Sequence, residues 1–84
     1  MAAGRDELIS ALAESVGTPP LTPGEIESVL ALAAVTAHGT GDRTTAPLAS
    51  FLAGIAAARA EDRTAVLDEI RRNAAELAPP PDAG

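Results

Sequence analysis

Residues 22–60 read TPGEIESVLALAAVTAHGTGDRTTAPLASFLAGIAAARA, and this stretch decides the fold. It opens with a helix-start signature. Thr22 can cap, Pro23 suits a first helical position, and Glu25 stands three residues after Thr22, the spacing of a capping box. Leu21 and Ile26 have the spacing of a hydrophobic staple. Beyond Ile26 the polar face nearly disappears: Val29, Leu30, Leu32, Ala33, Ala34, Val35 and Ala37 surround the axis. A helix apolar all round is a central one, covered on more than one side. The spacing predicts a helix over residues 23 to about 38, ended by Gly39. A polar loop over 39–45 follows, then a second apolar helix from Pro47 to about residue 60, capped by Thr45 or Ala46. So short a loop favours an antiparallel hairpin. In the second helix Leu48, Phe51, Leu52 and Ile55 form the expected inward stripe. Ser50, Gly54 and Ala58 form an adjacent ridge, and Gly54 is expected to receive a neighbouring backbone, because glycine inside a helix costs about 1 kcal/mol relative to alanine.

Outside this hairpin the pattern is simpler. Residues 6–16 place Leu8, Ile9, Leu12 and Val16 on one face, with Asp6 and Glu7 at the helix start, where the dipole favours negative charge. Gly17 reads as a left-handed cap, and Thr18-Pro19-Pro20 forbids further helix. After Glu61, Asp62 caps a last helix with Val66, Leu67, Ile70, Ala74 and Leu77 inward and Asp68, Glu69, Arg71, Arg72 and Glu76 outward. Pro79-Pro80-Pro81 ends it. No alternating β-branched run signals a strand. The expectation is an all-α, compact bundle of about four helices with a central helical hairpin. It forms a single domain over 1–78, followed by a Pro-rich disordered tail over 79–84.

Composition narrows function. The chain has 84 residues, a formal net charge of −6 and no cysteine. Neither a disulfide nor a thiolate metal site can supplement its core. Its six basic residues are all arginine, and the acidic balance argues against nucleic acid or an anionic membrane surface, which are bound through clustered cations. No stretch approaches the roughly 20 apolar residues of a membrane span, and no signal-peptide pattern opens the chain. A cytoplasmic location is the simplest expectation. Phe51 is the sole aromatic residue, and alanine supplies much of the 46% apolar content. Alanine-rich helices bury little area per residue, so packing must be tight or be completed by a protein partner or a second copy.

The candidate sites cluster at the hairpin. His38, the lone histidine, sits where a helix C-terminus favours a cation; capping is the simpler role, and a single His with no Cys or carboxylate at ligand spacing does not make a metal site. Arg43 could bond the free carbonyls of the preceding helix. Alternatively Arg43, Thr44, Thr45 and the N-terminus of the Pro47 helix would cradle an anion, with His38 nearby. Residues 39–42 are neither a phosphate loop nor a calcium loop. The serines have no base to activate them. The expectation is therefore not an enzyme, with no metal and no cofactor.

The run Ala37-His38-Gly39, then Arg43, Ala46-Pro47-Leu48 and Phe51-Leu52 with Gly54, resembles a small actinobacterial helical domain of unknown function. That domain is found alone or fused to the C-terminal end of molybdenum-cofactor guanylyltransferase-like proteins. The likeness is strongest over 30–58. Two departures stand out: Thr40-Gly41-Asp42 replaces an apolar continuation, and the family's aromatic near the N-terminus is missing. The family offers no catalytic residues to carry over. The resemblance implies an accessory role near molybdenum-cofactor biosynthesis or the assembly of molybdoenzymes such as formate dehydrogenase. Pro47, Phe51 and Gly54 are then the packing or partner positions. The alternative is a small anionic-ligand module using the hairpin loop.

Overall fold

A computed structural model describes residues 4–78; the expected tail over 79–84 lies outside them. Four helices follow in order: α1 (Arg5–Ser15), α2 (Pro23–Thr40), α3 (Thr45–Ala58) and α4 (Arg63–Leu77). The class and the central hairpin are as the sequence predicts. α2 is the axis, packed against both α3 and α4, which also touch each other. α1 packs closely against none of them and buries no residue.

The start of α2 is built as its sequence dictates. Glu25 N–H donates to Thr22 Oγ1 (3.1 Å), and Thr22 N–H donates back to Glu25 Oε1 (2.9 Å). Two otherwise orphaned donors are thus satisfied. The second Glu25 carboxylate oxygen pairs with Arg63, the first residue of α4. One side chain therefore caps α2 and ties it to α4. Asp62 caps α4 as expected, accepting from Ala65 N–H at 3.1 Å.

The end of α2 corrects the reading of Gly39. The helix runs through it to Thr40 and ends at Gly41, which takes φ 71° and donates its N–H to Ala37 O at 2.9 Å. Gly39 serves a different need. A Cβ there would lie 2.7 Å from both the carbonyl carbon and the Cβ of Ala78, and closer still to its carbonyl oxygen. The chain just beyond α4 passes over α2 at this point, and only glycine leaves room.

The core is Leu32 (1% exposed), Ala53 (0%), Ala57 and Leu67, rimmed by Val29, Ala49, Ile70 and Ala74. Two of its four members are alanines of α3. The expected inward stripe of that helix is therefore on the wrong side: Leu48, Phe51, Leu52 and Ile55 all face out. Three helices meet closely here, and the small side chains at 49, 53 and 57, spaced by four, are what fit between them. Gly54 receives no backbone, for nothing lies within 4 Å of where its Cβ would be. Leu77 is also outside, 86% exposed. Thr36 is buried, but its hydroxyl donates to Leu32 O at 3.0 Å inside its own helix.

Candidate interaction surface

The feature that stands out is the outer side of α3. The helix has 14 residues and no charge. Leu48, Phe51, Leu52 and Ile55 stand at i, i+3, i+4 and i+7, so they share one face. Phe51 is 73% exposed and Leu48 68%. Scattered surface leucines are ordinary, but a contiguous apolar face of this kind is a candidate interaction surface. Pro47 is exposed at one end of it, and Gly54 is open beside it. A second bare face lies on α1 and its C-cap, where Leu8, Leu12 and the capping Val16 recur every four residues, with Val16 73% exposed.

The hairpin loop is closed by its own side chains. Thr44 N–H and Thr44 O–H both donate to Asp42 Oδ1, at 2.9 and 2.7 Å. The Thr44 hydroxyl, and after it the Thr44 N–H, hold the Asp42 carboxyl below its usual 3.8. Thr40 Oγ1 donates to Thr36 O at 2.8 Å, accepts from Asp42 N–H at 3.1 Å and meets the Thr45 hydroxyl at 3.0 Å. α3 starts at Thr45, two residues earlier than expected, with no side-chain cap. Pro47 stands third in the helix, where a missing N–H costs nothing because that donor would be orphaned.

This arrangement bears on the anion cradle. The N–H of Thr45 donates to Asp42 O (3.1 Å) and that of Ala46 to Arg43 O (3.4 Å). Pro47 has no N–H to give. The backbone donors an anion would use are thus engaged, and Asp42 puts a carboxylate beside Thr44. Arg43 and His38 are exposed, and among the described residues neither joins an ion pair.

Among the described residues, three clefts bear on the site. The first, of 420 Å³, lies between the starts of α2 and α4, with Glu25, Glu27, Thr64, Asp68 and Arg71 on its walls. Its charges are largely matched: Glu25 with Arg63, and Asp68 with Arg71 at 3.9 Å. A second, of 220 Å³, is an apolar furrow where α2, α3 and α4 meet, between Leu52 and Leu77. The third, of 160 Å³, is where Arg5 and Ile9 of α1 face Leu21, Ile26, Val29 and Leu30. Neither His38 nor Arg43 borders any of them. Among the described residues no buried polar side-chain atom lacks a partner, and no three His, Asp or Glu side chains gather as metal ligands. No described helix is long and apolar enough to cross a membrane.

The sequence pointed to Phe51, Pro47 and Gly54 but placed the first of these inward. It missed Leu48, Leu52 and Ile55 as surface residues. The signal that could have found them is the missing polar face of α3: in so small a domain, an uncharged helix cannot be covered all round.

Fold and surface together define a class, a small helical domain with an uncovered apolar face. More particularly, a family model described as "Domain of unknown function (DUF6457)" matches residues 2–82, and the chain belongs to that family. No curated protein and no solved structure matches it.

Proposed function

We propose that the chain is a non-enzymatic accessory domain that docks a protein through the outer face of α3. The observation that carries this is the exposed stripe Leu48, Phe51, Leu52 and Ile55 on a helix without charge. Burying it removes apolar surface from water at about 25 cal/mol per Å². Phe51, the only aromatic side chain in the sequence, is the natural anchor, since aromatic residues dominate binding hot spots. The resemblance of the Ala37–Gly54 run to domains attached to molybdenum-cofactor guanylyltransferase-like proteins supplies the setting: molybdenum-cofactor biosynthesis or molybdoenzyme assembly, formate dehydrogenase included, in the cytoplasm.

Calorimetric titration of the purified chain against a molybdenum-cofactor guanylyltransferase and against a formate dehydrogenase tests this. Binding is expected to one of them, weakened more than about tenfold by Phe51→Asp, the loss of one hot-spot anchor. Heat with neither protein, or binding indifferent to Phe51, would overturn the reading. The anionic-ligand alternative has less support, because the amides of Thr44, Thr45 and Ala46 already donate within the loop. A phosphate titration that moves the amide signals of Thr44 to Leu48 would revive it.

A further inference from the structure

We propose that the α3 face is covered by α1 of a second copy of this chain, each copy lending its α1 to the other. This rests on the reading of α3 as a docking face and names its occupant. Both faces are bare in the single chain, and each is a helix stripe of similar length. Leu8 to Val16 spans about 12 Å and Leu48 to Ile55 about 10 Å at 1.5 Å per residue. α1 packs closely on no helix of its own chain. Gly17 ends it with φ 77°, and Thr18-Pro19-Pro20 follows as a linker outside any helix, its prolines fixed in φ. A free arm on a proline-containing hinge is the geometry from which identical elements exchange between copies.

Charge points the same way. α1 carries Asp6, Glu7 and Glu14 against a single Arg5, which is paired with Asp6 at 2.9 Å. α3 is uncharged but is flanked by Arg43 and Arg59. Among the described residues neither arginine joins an ion pair. An acidic arm laid along α3 sets its carboxylates near these two cations. Area is the third argument: exchange covers both exposed stripes of each copy, Leu8, Leu12 and Val16 as well as Leu48, Phe51, Leu52 and Ile55, whereas pairing one stripe alone leaves the other in water, and a stable interface needs a large buried area. A second copy and a molybdenum-cofactor protein would then compete for α3.

Sedimentation of the full chain across a concentration series tests this. A monomer–dimer equilibrium is expected, shifted to monomer by Leu12→Asp and equally by Phe51→Asp. Both residues are exposed, so the helical circular-dichroism signal stays and reports that the fold is intact. The absence of cysteine permits a sharper experiment. Leu12→Cys and Phe51→Cys variants, one carrying a mass tag, are mixed and oxidised. The expected product joins position 12 of one copy to position 51 of the other. A product joining 51 to 51 would overturn the proposal in favour of face-to-face α3 helices. A monomer at every concentration would also overturn it. If that monomer still binds a molybdenum-cofactor protein through Phe51, the interaction reading survives; if it does not, both fall.

Discussion

α3 and α4 are neighbours of nearly equal length, 14 and 15 residues, yet they were not equally legible. α4 carries six charged residues down its outer side, and Leu67, Val66 and Ile70 turn inward as its pattern demands. α3 carries none, and its buried side is the alanine row. A polar face fixes the rotation of a helix, because charge cannot enter the core unpaired. Without one, hydrophobicity alone does not fix the rotation; side-chain volume does, through how closely the backbones can approach. In α3 that fit selects Ala49, Ala53 and Ala57 and leaves Phe51 in water.

The contrast can be broken most severely by truncation. Leu32→Ala, at the centre of the core, should cost about 3 kcal/mol, enough to leave so small a domain largely unfolded. Phe51→Ala should change monomer stability by less than about 0.5 kcal/mol. Urea unfolding of dilute protein compares them, and a large loss at Phe51 would restore the inward stripe. Two helix glycines, Gly39 and Gly54, give a second pair. Gly39→Ala drives a methyl into Ala78 and should cost about 2 kcal/mol, as overpacking does. Gly54→Ala meets open space and should stabilise by about 0.5–1 kcal/mol. Equal effects would mean that α4 does not cross α2 at Gly39.

Smaller effects sharpen the same comparison at the helix starts. Thr22→Ala removes the cap of α2 and should cost about 1 kcal/mol, whereas Thr44→Ala removes no cap from α3. Asp42 gives the faintest effect. Its folded pKa lies below its ordinary 3.8, so its hydrogen bonds with Thr44 stabilise the fold above the unfolded value. That contribution disappears as pH falls through the folded value. Carboxyl NMR should show Asp42 titrating below 3.8, and Thr44→Ala should return it toward that value.

Much of the fold could be read directly because its devices are local. Thr22, Pro23 and Glu25 form a capping box within four residues, Gly17 caps α1, and Asp62 starts α4. The errors arise where distant segments meet. Gly39 looks like a helix stop, and only the arrival of Ala78 shows that it is a crossing point. Glu25 is legible as a cap but not as the partner of Arg63, 38 positions later in the chain. The candidate site divides similarly. Phe51 was singled out by its rarity, Arg43 and Thr44 by their loop; that Asp42 would claim the loop's donors needed coordinates.

By itself, the amino-acid sequence determined four helices, the N-caps of α2 and α4, a central hairpin and an acidic composition, since each follows from composition or from neighbours a turn or two apart. The tertiary structure alone decided which side of α3 is buried and that α1 stands off from the bundle. Both depend on how closely three backbones can approach, a property of packed volume that no periodicity encodes.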